Sequence, residues 1–151
     1  EIRRDVMEDV EIMFTLNLTS FGERSYFADG RFHRGFRDLV AWLAEQGYLG
    51  ITTVLIEGTV AAVDVHAVYR NAATILAGGT HPDFPGVAKV INFAHIEWAC
   101  QQKFAEVDFL CGEFGWKDRF HLTARPLHQI HSPALSADAP IGESAEDRYE
   151  T

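Results

Sequence analysis

The clearest arrangement for chemistry is a β-type segment that runs through glycines into a Gly/Pro loop and then a helix. The segment ends in Gly78 and Gly79, and residues 83–86 (DFPG) lead into the helix. The first turn of a helix leaves four backbone N–H groups without partners and carries partial positive charge. Gly86 has no side chain to block a ligand, and Lys89 adds positive charge nearby. This segment predicts a pyrophosphate-binding site.

We expect eight residues of this segment to contact the anion. They are Ala77, Gly78, Gly79, Pro85, Gly86, Val87, Ala88 and Lys89. The alternative is an ordinary helix start, because a Pro-Gly pair often begins a helix. The segment is not a P-loop, since no Gly-Lys-Ser/Thr follows, and it lacks the G-x-G-x-x-G dinucleotide fingerprint.

A second group of side chains could transfer a proton or stabilise charge. Glu113 lies in a Gly-flanked loop after a β-type segment, where it could act as a general base or hold substrate. Asp108, within that segment, could be catalytic or could pair with Lys117, which could itself neutralise phosphate or a leaving group. Asp64 and His66 are two residues apart in a strand, so they share one face. His66 is an alternative base, and a partly exposed hairpin face is the other interpretation.

Metal binding is not predicted. His121, His128 and His131 with Cys111 match no compact pattern of zinc ligands. His95, on an apolar helix, is expected to be a core histidine.

The elements that must position these residues follow from periodicity. Apolar residues recur at helical spacing in residues 5–18, where Asp5 could cap, and in residues 32–46 and 87–103. Four segments have strand character, residues 48–57, 59–69, 72–78 and 104–110. A short amphipathic segment (116–120) and a possible last strand (121–130) follow. This order indicates an α/β or α+β fold, in which an antiparallel meander leads into a strand–loop–helix–strand unit.

Composition limits the function classes. The 151 residues suit one domain, which we place at residues 1–131 with a disordered acidic tail at 132–151. A formal net charge of −9 argues against nucleic-acid binding. No apolar run is long enough to span a membrane. Two isolated cysteines, Cys100 and Cys111, indicate a reducing compartment, so we expect a cytoplasmic protein.

Three longer motifs give a resemblance to a known family. They are HPDFPG at residues 81–86, I-x-x-A at 96–99 and VDFLCGEFGWKDRF at 107–120. In this order they resemble the CelD-like acetyltransferase domain of the GNAT superfamily, which is related to the FemAB-type aminoacyl transferases. The resemblance covers about residues 5–125. The phosphate-binding segment departs from the usual GNAT pattern, since it keeps one glycine, Gly86, and places the acidic Asp83 beside it.

The resemblance implies a mixed, curved sheet flanked by helices, with the GNAT acyl-CoA N-acyltransferase fold. It implies a splay between central strands that admits the pantetheine arm of acetyl-CoA or another acyl-CoA. The implied reaction is acyl transfer to an amine, such as an amino sugar, in polysaccharide or cell-envelope assembly. A second GNAT-like domain or a homodimer is an expected partner. The alternative is a non-catalytic GNAT-like module that serves docking or structure in a larger tandem-domain protein.

Overall fold

The computed structural model describes residues 1–110 and 115–128. The chain divides into two compact units, Glu1–Leu110 and Cys111–Thr151, and each is described by itself. The single domain predicted over residues 1–131 stays a prediction. The predicted tail at 132–151 lies outside the described residues.

The first unit contains one five-stranded sheet whose strands neighbour each other in chain order. The strands are β1 (Ile2–Arg4), β2 (Leu49–Ile56), β3 (Thr59–Tyr69), β4 (Ala72–Thr80) and β5 (Glu106–Asp108). Neighbouring strands are antiparallel except β4 and β5, which pair in parallel. The sheet is therefore mixed, and it confirms the predicted fold class.

Three helices complete the first unit, α1 (Asp9–Phe21), α2 (Gly30–Glu45) and α3 (Val87–Gln102). Helix α1 begins later than predicted, because Asp5 directly follows β1 and the N-cap of the helix is Glu8. The Asp5 backbone has a φ of 58°. Its N–H donates to Ile51 O at 2.9 Å, and its carboxylate accepts from Ile51 N at 3.1 Å. Residues 22–24 and 26–28, between α1 and α2, form two 3-10 turns.

The two faces of the sheet are covered by different helices. On one face, Val63 and Val65 of β3 pack with Met13 and Phe14 of α1 and with Phe36 of α2. Side chains alternate along a strand, so Asp64 and His66 must point to the opposite face. There they meet α3, whose Val87 and Ile91 pack against Val54 and Ala62 of the sheet.

In the second unit, a short helix α4 spans Gly115–Asp118. The last strand expected over residues 121–130 is absent from its described part, residues 121–128. Pro126 lacks the N–H that a strand ladder needs, which gives a physical reason for the difference.

Candidate active site

Strand β4 leaves its neighbour β5 after a short pairing. Parallel pairing joins residues 72–74 to Glu106–Asp108. The register with β3 then shifts, since Val65 pairs with Ala77 but His66 pairs with Ile75, which leaves Leu76 as a bulge. A bulge bends a strand and increases its twist. Within the described residues, no strand therefore pairs with this side of β4 from residue 75 to residue 80. We call this stretch the free edge of β4.

The backbone of β4 directs particular groups to this free edge. The N–H of His81 donates to Ala61 O at 2.8 Å, so this pair faces β3. Inward and outward pairs alternate in an antiparallel ladder, and Gly78 and Thr80 therefore point outward. Their carbonyl oxygens accept from side chains of α1, Asn17 Nδ2 at 2.6 Å and Ser20 Oγ at 2.9 Å. Their N–H groups point to the same edge as donors for an extended ligand.

The beginning of α3 is open. Its N-cap residue Gly86 adopts a φ of 87°, and no side chain caps the helix. A Cβ at Gly86 would have nothing within 4 Å. The Val87 N–H donates to Phe84 O at 3.1 Å and the Lys89 N–H to Gly86 O at 3.0 Å. Among the described residues, the amides of Gly86 and Ala88 donate no hydrogen bond, so two of the four expected donors remain for an anion.

The structure places the eight predicted cofactor-binding residues in two groups. Ala77, Gly78 and Gly79 belong to β4, and the other five, Pro85 to Lys89, form the loop end and first turn of α3. Gly79 is needed for packing, because a Cβ there would lie 2.6 Å from Met13 O of α1. The Val87 side chain is buried in the core and its N–H already donates to Phe84 O, so neither group is available to an anion.

A buried polar cluster lies between the sheet and α3. His95 Nε2 lies 2.9 Å from Asp64 Oδ2 and is the donor of this hydrogen bond. The His66 ring lies 5.2 Å from the His95 ring and 5.2 Å from the Trp98 ring, measured between centroids. Asp64 and His66 share a face, as predicted, but their exposed fractions are 6% and 1%. The expectation of a partly exposed hairpin face is therefore wrong.

The environment of His66 does not favour its predicted role as a base. Burial, the neighbouring His95 and the Arg4 guanidinium together lower the His66 pKa to about 3. The His66 Nδ1 atom is buried without a hydrogen-bond partner in the described structure. A ring that is enclosed and so weakly basic is poorly placed to accept a proton from a substrate amine at neutral pH.

The low pKa of His66 makes the fold sensitive to acid. The unfolded chain, with a His pKa of about 6.5, binds this proton before the folded chain does. The His66 contribution to stability is thus complete above pH 6.5 and is lost as pH falls toward 3, at about 1.4 kcal/mol per pH unit. We expect His66→Gln to show a shallower loss of unfolding free energy between pH 6.5 and 5, by about 2 kcal/mol. Urea denaturation at both pH values measures this, and parallel profiles would contradict it.

Of the remaining predicted residues, Asp108 belongs to the first unit, and Glu113 and Lys117 belong to the second. Asp108 accepts from Leu110 N at 2.8 Å, which closes a local turn in the first unit. Lys117 lies in α4, where its Nζ is 5.8 Å from the Trp116 ring centroid. The predicted Asp108–Lys117 pair joins residues of different units and stays a prediction. Glu113 lies outside the described residues.

Several residues at the site were missed by sequence reasoning. Asn17 and Ser20 bind the free edge of β4, and His95 was expected to have only a core role. Asn17 and Ser20 are three residues apart in α1, a spacing that puts both on one face of the helix. This spacing was the signal in the sequence that could have identified the two residues. No set of three or more potential metal ligands occurs in the described ranges 1–110 and 115–128. None of the helices in those ranges is long and apolar enough to cross a membrane.

Comparisons with known proteins agree with this architecture. The family described as "Acetyltransferase (GNAT) domain" matches residues 1–118. No curated protein sequence matches the chain significantly. Among solved structures, a GCN5-related N-acetyltransferase from Ralstonia eutropha has a TM-score of 0.63 at 17% identity, over 88% of this chain and 97% of that one.

Two further structures were solved with ligands. A predicted acetyltransferase from Clostridium acetobutylicum, with acetyl-CoA, has a TM-score of 0.60 at 11% identity, over 91% of this chain and 99% of that one. An aminoglycoside N-acetyltransferase with a bisubstrate CoA analogue has a TM-score of 0.57 at 15% identity, over 87% and 97%. At such identities these likenesses show the fold alone. The family match extends over most of the chain, and the chain therefore belongs to the GNAT acetyltransferase family.

Proposed function

We propose that this domain transfers an acyl group from acyl-CoA to an amine in one direct step. The main support is the free edge of β4, which the loop of residues 81–86 connects to the open start of α3. The pantetheine arm is extended and contains amides, so it can pair with the outward N–H groups of Gly78 and Thr80. The pyrophosphate can bind the amides of Gly86 and Ala88, with Lys89 adding positive charge.

The reaction needs no covalent enzyme intermediate. The amine nitrogen attacks the thioester carbonyl, a C–N bond forms, and the C–S bond then breaks to release the CoA thiol. A backbone N–H on the β4 edge would stabilise the oxyanion of the tetrahedral intermediate. The ammonium form of the acceptor must first lose a proton, and we propose Glu113 as the base that accepts it. Lys117 is a candidate for neutralising the leaving thiolate, and Asp108 remains a candidate catalytic residue.

The proposed acceptor is an amino sugar, in polysaccharide or cell-envelope assembly. The support is the likeness of residues 107–120 to the CelD-like motif and a shared fold with an aminoglycoside N-acetyltransferase. A cytoplasmic location and a second GNAT-like domain or homodimer as partner are predictions of the same kind. The alternative function is a non-catalytic docking module, which requires no acyl-CoA binding.

The direct test combines binding with turnover. Acetyl-CoA at 100 times its dissociation constant should stabilise the domain by about 2.7 kcal/mol and raise its Tm. Thiol release should then be measured with glucosamine and, as a control acceptor without a free amine, N-acetylglucosamine. Thiol release that needs the free amine supports the enzyme. If neither acetyl-CoA nor longer acyl-CoAs shift the Tm, the docking module is the better interpretation.

Charge reversal at the start of α3 provides a sharper test of the phosphate site. Lys89 is exposed in the first turn, and Lys103 is the C-cap of the same helix. We expect Lys89→Glu to weaken CoA binding about tenfold, because it places a negative charge beside the pyrophosphate. The matched variant Lys103→Glu changes the net charge equally at the opposite helix end and should bind CoA normally. Isothermal titration at low salt measures both, and equal weakening would mean that only net charge matters.

A further inference from the structure

Helix α3 carries the proposed phosphate site at its first turn, so the position of the helix on the sheet decides where that site lies. The first half of α3 packs through Val87 and Ile91 against Val54 and Ala62. Such apolar contacts are non-directional, and by themselves they leave the helix free to shift along the sheet. A hydrogen bond is directional and fixes one position.

The Asp64–His95 hydrogen bond supplies such a fixed point. His95 lies eight positions after Val87, about 12 Å along the helix at 1.5 Å per residue. Its 2.9 Å contact with Asp64 is buried, so shifting the helix would leave a carboxylate without its partner. Near it, Arg4 Nη2 donates to Ala94 O at a longer 3.3 Å. The Asp64 contact is therefore the stronger polar restraint of the two.

Asp64 also contacts the strand that carries the free edge. It pairs in register with Gly78 of β4. A Cβ on Gly78 would lie only 2.0 Å from Asp64 Oδ1, so the carboxylate occupies the space that the glycine leaves. One carboxylate thus contacts both Gly78, whose N–H points to the free edge, and His95 of α3.

We propose that Asp64 and His95 are positioning residues that set the distance between the free edge of β4 and the first turn of α3. This inference rests on the proposed function, in which the edge binds the pantetheine arm and the helix start binds the pyrophosphate. The binding of an acyl donor that contacts both the edge and the helix start depends on the spacing between them. The binding of an acyl donor that contacts the edge alone does not depend on this spacing.

The test compares two acyl donors, acetyl-CoA and S-acetylpantetheine, which lacks the pyrophosphate and nucleotide. His95→Leu removes the hydrogen bond, and His95→Gln retains an N–H donor in a similar place. We expect His95→Leu to raise the KM for acetyl-CoA about tenfold and to leave kcat/KM for S-acetylpantetheine within about twofold. His95→Gln should recover most of the acetyl-CoA affinity. If His95→Leu does not fold, Asp64→Asn combined with His95→Leu removes the unpaired buried charge, and the same result is expected.

The comparison of the two donors decides whether Asp64 and His95 have a positioning role. Selective loss with acetyl-CoA supports the positioning role. An equal loss with both donors, or no loss with either, overturns it, because a merely structural bond would affect both donors alike. If the unaltered domain neither binds CoA nor releases thiol from either donor, the proposed function itself fails, and this inference fails with it.

Discussion

Gly79→Leu is expected to destabilise the domain by about 3 kcal/mol or more, and at that size to leave little folded protein. Gly79 lies in β4 directly under α1. A Cβ there would come within 2.6 Å of Met13 O, 2.8 Å of Asn17 N and 2.8 Å of Leu16 Cβ. Two of these atoms belong to helix backbone, which cannot rotate away. The helix would have to lift off the sheet and expose Met13 and Phe14, which are now buried.

The matched control is a glycine with free space around it. Gly35 lies on the exposed side of α2, and a Cβ there would have nothing within 4 Å. Gly35→Ala should stabilise the helix, by up to about 1 kcal/mol, since alanine restricts the unfolded chain. Urea denaturation followed by circular dichroism measures both variants. A Gly79→Leu protein as stable as the unaltered domain would show that α1 does not pack on β4 as described.

Glu113→Gln is expected to lower kcat about 100-fold at neutral pH and to leave CoA binding unchanged. General base catalysis typically contributes a factor of this order. Glutamine has almost the shape of glutamate but cannot accept the proton of an ammonium group. The variant should then depend on amine deprotonated by solvent. Its rate should rise about tenfold per pH unit up to the pKa of the acceptor amine, because the free-amine fraction rises by that factor.

The control for this experiment is an exposed carboxylate outside the residues proposed for the site. Glu45, at the exposed end of α2, serves because Glu45→Gln changes the net charge by the same amount. Its kcat and pH profile should equal those of the unaltered domain. A Glu113→Gln enzyme with unchanged kcat would exclude Glu113 as the base. Loss of CoA binding in the variant would instead assign Glu113 to substrate binding.

Local patterns predicted most of the fold. The alternating stretch of residues 59–69 matches β3 in both bounds. In the turn before it, Glu57 has a φ of 50° and Gly58 a φ of 81°, and such positive values suit a tight hairpin. Such signals work because they depend on neighbours in sequence. Strand β1 was missed, because residues 2–4 are too few to show a period and pair with residues 52–54, far away in the chain.

The sequence by itself determined that a glycine precedes the start of α3, because a helix start and the glycine before it are local features. It also determined that Asp64 and His66 share a face, because side chains alternate along any strand. The tertiary structure decided what that face contacts. His95 lies 31 positions from Asp64, and Gly78 becomes its neighbour only through the register of β3 and β4. Contacts of this kind form when separate elements pack, and no local period records them.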